Sequence, residues 1–216
     1  MLPVSLGPGA KEPLRILCLG AHCDDIEIGC GGTILRLLAE RPGSSVHWVV
    51  FASNAERSQE ARAAAADFLE QAGERHVEVR SFRESYFPYV GAEIKDYFEQ
   101  LKPIKPDVVF THRTVDLHQD HRTIAELTWN TFRNHLIAEY EIPKYEGDLG
   151  TPNLFVPLTL AQADRKVDLL FKHFASQAQR SWFKRSTFDG LLSIRGIECA
   201  APENRAEAFH VRKFVL

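Results

Sequence analysis

Short apolar runs that end in glycine or a turn alternate with stretches of helical spacing, and this rhythm leaves few architectures open. Leu14 to Gly20 reads as a buried strand of a parallel sheet. A helix is expected from about Gly32, because Ile34, Leu35, Leu37 and Leu38 recur at helical spacing before Arg41-Pro42-Gly43 breaks the pattern. Val46 to Ala52 then reads as strand, Glu56 to Gln71 as an alanine-rich helix, and His76 to Phe82 as strand. Gly91 to Leu101 follows as helix and Asp107 to Thr111 as strand. Further on, His121 to about Asn134 reads as helix and Glu139 to Leu158 as an extended stretch punctuated by proline and glycine. Leu160 to Phe174 reads as an amphipathic helix and Ala208 to Leu216 as a closing strand. The expected class is α/β, a doubly wound and mostly parallel sheet flanked by helices.

In such sheets ligands bind beyond the carboxyl ends of the strands, near the point where strand order reverses. Two clusters of acids and histidines fall at that edge. Ala21-His22-Cys23-Asp24-Asp25 lies just past the first strand, and Asp116-Leu117-His118-Gln119-Asp120-His121 just past the strand at Asp107 to Thr111. Each mixes neutral imidazole with carboxylate, the donors that suit zinc or another first-row divalent ion. A catalytic ion needs three protein ligands and one open position, and His22, Asp25 and His121 are the expected three. Adjacent residues leaving a strand point in different directions, so Asp24 can face the water as general base while Asp25 ligates. His118 is the expected partner of the oxyanion and proton donor to the leaving amine, with Asp120 holding its imidazole. His112 and Asp116 divide between support of the ligands and plain loop polarity.

The rest of the composition narrows the partner. The 216 residues suffice for one core and show no seam, so a single domain over 1–216 is expected. With 26 basic and 29 acidic residues well mixed, the net charge of −3 offers no footprint for nucleic acid or an anionic membrane, which leaves a small molecule. The leader Met1 to Ala10 lacks a basic region followed by an apolar core, and no apolar run approaches the ~18 residues of a bilayer span. A soluble, cytoplasmic protein is expected, compatible with a homo-oligomer. Cys18, Cys23, Cys30 and Cys199 match neither a redox pair nor a zinc finger and read as small buried thiols. Gly29, Gly31 and Gly32 lack the spacing of a dinucleotide fingerprint and carry no Walker lysine; their expected task is close packing of a helix start.

These motifs resemble the PIG-L/LmbE family of metal-dependent N-acetylglucosamine-type deacetylases. The family's first motif, Ala-His-Pro-Asp-Asp before a glycine-rich helix, stands here as Ala21-His22-Cys23-Asp24-Asp25 followed by Ile26 to Thr33. Its second, His-x-Asp-His, stands as His118-Gln119-Asp120-His121 followed by Arg122. Weaker similarity covers Arg57 to Glu60, His173 to Gln177, Arg195-Gly196 and Ala206 to Phe209. The resemblance implies a Rossmann-like fold, Zn2+ as the usual ion with Fe2+ as an alternative, and the same roles for His22, Asp25, His121, Asp24, His118 and Asp120. Cys23 departs from the family's proline, which bears on backbone rigidity and thiol sensitivity.

The leading expectation is hydrolysis of an N-acetyl group from an amino sugar or a GlcNAc-containing conjugate. A nucleotide-sugar or dinucleotide-dependent enzyme and a metal-binding module with a degenerate site are the rivals. Arg57 is a candidate anchor for a substrate hydroxyl or phosphate, with pairing to Glu56 or Glu60 as the alternative. Tyr140, Tyr145 and Trp182 are candidates for stacking on a sugar ring or for packing. The stretch Glu139 to Leu158 is the candidate wall or lid over the site.

Overall fold

A computed structural model describes residues 11–214. The leader at residues 1–10 and the last two residues of the expected closing strand lie outside the described residues. Seven strands form one sheet: β1 (Arg15–Gly20), β2 (Ser45–Val50), β3 (Glu74–Val79), β4 (Val108–Thr111), β5 (Leu136–Tyr140), β6 (Leu154–Pro157) and β7 (Ala206–His210). Their order is β3-β2-β1-β4-β5-β7-β6. The first five in that order run parallel, and β7 joins β5 and β6 antiparallel. Chain order therefore reverses between β1 and β4, which pair through Ile16–Val108, Leu17–Val109 and Cys18–Phe110. Both acid-histidine clusters leave the sheet at that reversal.

Residues of β1 alternate between two cores because a strand presents successive side chains to opposite faces. Ile16 and Cys18 join Trp48, Phe68, Leu170 and Phe188 on one face. Leu17 and Leu19 join Phe51, Tyr97, Phe98 and Ile124 on the other. The helices are α1 (Asp25–Glu40), α2 (Ala55–Phe68), α3 (Gly91–Leu101), α4 (Gln119–Thr131), α5 (Leu160–His173) and α6 (Arg185–Glu198). This is the doubly wound, mostly parallel class that the alternation implies.

Several elements differ from the sequence expectation; the closing strand, expected over Ala208 to Leu216, is β7 at Ala206–His210, and β6 lies inside the extended stretch. Helix α1 begins at Asp25 rather than about Gly32, so its glycines lie within the helix. Glycine is a poor helix former, yet here intimate packing outweighs propensity. A Cβ at Gly29 would stand 2.3 Å from the Tyr140 ring, at Gly31 2.6 Å from Phe68, and at Gly32 2.5 Å from Leu158. Glu207 on β7 also accepts the amides of Gly32 and Thr33, and Lys166 on α5 donates to the Ile28 carbonyl and to Glu207. This buried pair fixes α1 against the rest of its layer. Strand β5 and helix α6 are not legible in the sequence, the first straddling the start of the extended stretch expected from Glu139 and the second interrupted by serine, threonine and glycine.

One substitution in two places separates packing from propensity. Gly29→Ala should destabilise the protein by about 1–3 kcal/mol, because the hydroxyl of Tyr140 is tied to the Leu19 carbonyl at 2.7 Å and its ring cannot withdraw. Gly190→Ala in α6, where a new Cβ meets nothing within 4 Å, should stabilise by about 0.5–1 kcal/mol. Urea unfolding midpoints with unchanged slopes would measure both.

Candidate active site and metal centre

The turn between β1 and α1 is held from several directions. Ala52 donates to the Ala21 carbonyl at 2.8 Å, and the Cys23 thiol donates to the Ala52 carbonyl at 3.4 Å. Cys23 is buried, and burial pushes its thiol up to about 12, which makes it an inert packing group rather than a sensitive thiol. All four cysteines are buried and free. Asp24 stands at the start of α1, its side chain not bonded to the helix, with φ 135° and ψ −17°, a conformation that costs a non-glycine residue on the order of 1–3 kcal/mol. The guanidinium of Arg57 holds it there, 3.0 Å from the Asp24 carboxylate and bonded to the Cys23 carbonyl.

Arg57 therefore pairs with neither Glu56 nor Glu60. Its helix, capped by Asn54, aims the side chain back at the turn. Glu60 instead accepts from Ser176. Burial lifts the Asp24 carboxyl to about 7, with Arg57 opposing and Asp25 reinforcing the shift.

Three donor atoms converge beside Asp24. His22 Nδ1 lies 3.2 Å from His121 Nε2 and 3.5 Å from Asp25 Oδ2, and the remaining side, His121 Nε2 to Asp25 Oδ2, is 3.6 Å. Ligands at ordinary zinc distances in a tetrahedron stand about 3.3–3.6 Å apart, so this triangle has the size of one ligand face. Behind each imidazole stands a carboxylate. His22 Nε2 meets Asp120 at 3.1 Å, and His121 Nδ1 meets Asp116 at 3.0 Å. A proton on each of those outer nitrogens leaves a lone pair on each inner one, the arrangement that orients histidine toward a metal.

Two further histidines flank the triangle. Donor atoms of His22, His118 and His121 lie within 4.8 Å of one another, as do those of Asp25, His112 and His121. His112 is fully buried, and its Nε2 is surrounded by the Ala21 amide at 2.9 Å, Asp25 at 3.1 Å and the Tyr140 hydroxyl at 3.2 Å. It braces Asp25 from behind. His118, half-buried, caps α4 by accepting the Asp120 amide on Nδ1, which leaves Nε2 as its free edge.

Asp120 holds the His118 imidazole through its backbone amide rather than by a side-chain hydrogen bond. Its carboxylate accepts from His22 Nε2 and from the amides of Ser85 at 2.6 Å and Phe87 at 3.2 Å. The physical reason is the cap: His118 takes up the Asp120 amide, and the Asp120 side chain turns away toward His22. Ser85 adopts φ 66° to aim its amide. Phe87 packs along His22 with ring centroids 6.1 Å apart.

The stretch after β5 forms a wall of the site. Lys144 reaches Asp116 at 3.1 Å and also pairs with Asp148, which accepts the Leu117 amide at 2.8 Å. Tyr140 is buried packing, Trp182 packs on Phe183 at 5.6 Å, and Tyr145 is exposed. Carboxylates behind both imidazoles could have been anticipated, since Asp116 and Asp120 were available nearby. The amides of Ser85 and Phe87 leave no signal in residue type.

Charge follows from these contacts. Burial works against a charged His22, but its bonds to Asp120 and Asp25 outweigh it and lift the pKa to about 10. Burial, with repulsion from His112, holds His121 down to about 3. Burial would raise Asp25, yet His121 and His112 hold it well below the carboxylate range; Asp116 is held low against burial by His121. Burial and the charge of His22 hold His118 below its ordinary value.

Residues 17–132 match the family model described as PIG-L, GlcNAc-PI de-N-acetylase. No curated protein sequence matches the chain. Among solved structures, the conserved protein TT1542 of Thermus thermophilus is 20% identical, with 94% of this chain and 96% of that one covered and a TM-score of 0.75. The N,N'-diacetylchitobiose deacetylase of Pyrococcus horikoshii is 20% identical over 92% of this chain and 83% of that one, with a TM-score of 0.71. GalB of Pseudomonas putida KT2440, a 4-carboxy-2-hydroxymuconate hydratase, is 16% identical over 94% and 98%, with a TM-score of 0.73. At these identities the likeness establishes the fold.

The state of His22 generates a pH test. Below about pH 10 the ion-free site carries a proton on His22 that an incoming ion must displace from Nδ1. Zinc affinity should rise by about one log unit per pH unit between about pH 6 and 9, read by competition with a chromophoric chelator. A flat profile would exclude His22 Nδ1 as a donor.

Proposed function

Because the chain belongs to the PIG-L, GlcNAc-PI de-N-acetylase family, we propose that it is a divalent-metal hydrolase removing an N-acetyl group from an amino sugar or GlcNAc-containing conjugate. The observation that carries this reading is the donor triangle of His22, Asp25 and His121, with a carboxylate behind each imidazole. Two neutral donors and one anion fit Zn2+, and Fe2+ is the alternative. When bound there, the ion would supply Lewis acidity, making a water nucleophilic near neutral pH and polarising the acetyl carbonyl.

The chain's own groups do the rest. Asp24 accepts the proton of the attacking water, and a carboxyl lifted toward neutrality suits that exchange. Arg57 keeps Asp24 fixed while its protonation state changes. His118 accepts the Asp120 amide on Nδ1, so its neutral form carries hydrogen on Nε2 and donates it to the developing oxyanion. As the C–N bond breaks, Asp24 returns its proton to the leaving nitrogen, giving a free amine and acetic acid, which then ionises. His118 thus serves as hydrogen-bond donor to the oxyanion, and its free Nε2 edge makes it the second group able to pass a proton to the leaving nitrogen.

Asp24→Asn should keep bound metal and lose about 10²–10⁴-fold in kcat. His121→Ala should lose both metal and acetate release. Elemental analysis with an acetate-release assay on N-acetylhexosamine conjugates separates the two, and chelation followed by zinc should abolish and restore wild-type turnover. Ionised Asp24 is the active base, so kcat/KM should fall as pH drops through about 7, with a bound cation drawing that limb lower. Near-normal turnover by Asp24→Asn would overturn the assignment of the base.

A further inference from the structure

Each imidazole of the donor triangle leans on a carboxylate, and each of those carboxylates is shared with a second loop. On Asp120, Oδ2 accepts from both His22 Nε2 and the Ser85 amide. On Asp116, Oδ2 meets both His121 Nδ1 at 3.0 Å and the ammonium of Lys144 at 3.1 Å, while Oδ1 accepts the His118 amide at 2.8 Å. The first arrangement uses main chain that any residue supplies. The second depends on one side chain, contributed by the wall after β5.

The wall is shaped to deliver that side chain. Gly147, at φ 63°, takes a left-handed turn that suits glycine, and Lys144 pairs with Asp148 across it. Asp148 in turn accepts the Leu117 amide on Oδ2 and Arg113 on its carbonyl, and the Gly150 amide closes onto Glu141 at 3.2 Å. The Lys144 side chain is only 10% exposed, between carboxylates that are 2% and 8% exposed. A lysine that serves packing alone buries its stem and leaves its ammonium in water. Here the ammonium itself is buried, at the oxygen that backs a ligand.

Without Lys144, the Asp116 carboxylate would keep one anchor on Oδ1, about which Oδ2 could swing. With it, Oδ2 has two donors in fixed directions and stays in line with His121 Nδ1. Carboxylates behind histidine ligands set the orientation of the ring, so whatever fixes the carboxylate bears on the metal. We propose that Lys144 is a positioning residue for the metal centre, holding Asp116 so that His121 aims its Nε2 lone pair at the ion. The wall thereby belongs to the ion's support. The inference rests on the metal-centre reading of the triangle and is independent of the substrate.

The direction of the effect separates positioning from simple electrostatics. A nearby ammonium repels a cation, so charge alone would make zinc bind more tightly once Lys144 is removed. Positioning requires the opposite. The experiment measures zinc affinity of the full chain by chelator competition at fixed pH and ionic strength, with the visible spectrum of the Co2+-loaded protein as a report on ligand geometry. Lys144→Met should weaken zinc binding by at least about tenfold and change the Co2+ spectrum. The Lys144→Met/Asp148→Asn double variant, which restores the charge balance of the wall, should remain as weak. Its recovery to wild-type affinity would reduce Lys144 to charge balance and overturn the proposal. Unchanged or tighter zinc binding by Lys144→Met would also overturn it and leave the metal centre standing. Should Lys144→Met not fold, Lys144→Gln, which keeps a hydrogen-bond donor beside Asp148, carries the same expectation. Failure of the wild-type chain to take up either ion would overturn the metal-centre reading, and the proposal with it.

Discussion

Burying ionisable groups is expensive unless each finds a partner, and this site buries several at once. His22, Asp24, Asp25, Asp116, Asp120 and His121 are all buried within one small volume. Much of the local architecture answers that requirement. Arg57 meets Asp24, Lys144 meets Asp116, two amides from the loop after β3 meet Asp120, and the imidazoles meet carboxylates. Loops of unrelated sequence position are fixed because each supplies a missing counter-charge or hydrogen bond. A bound divalent cation would fit the same logic, replacing the His22 proton and offering the Asp25 carboxylate a counter-charge.

The sequence made the two halves of the site legible because ligand chemistry is written in residue type. Alternating apolar runs then placed those halves on strands of one parallel sheet. What stayed hidden depended on geometry that residue type does not encode. The start of α1 could not be read through Gly29, Gly31 and Gly32, whose value lies in the rings and side chains that approach them. The partner of Asp120 could not be read either, since it depends on His118 serving as a helix cap. Backbone amides at Ser85 and Phe87 contribute as much to Asp120 as a side chain would, yet any residue could have supplied them.

The same fold carries a diacetylchitobiose deacetylase and a hydratase among its solved relatives, so the sheet does not select the reaction. Selection falls to groups placed around the donor triangle. Here an acid near neutrality, a histidine with its free edge outward and an arginine committed to that acid form one side. The loops that supply support on the inside also set the surface seen from outside. The support of the donors and the outer surface of the site are consequently written into the same short segments, which restricts how far either can change alone.

The pairing of β1 with β4 has a consequence in time as well as space. Two strands and three helices intervene in the chain between these neighbours, so the donor triangle comes into being only after a long loop has closed. Before that moment His22 and Asp25 belong to one fragment and His121 to another, and no ion can be gripped by all three. A divalent ion at the triangle would meet all three donors only where both fragments have come together, and its binding energy would add to the stability of that state.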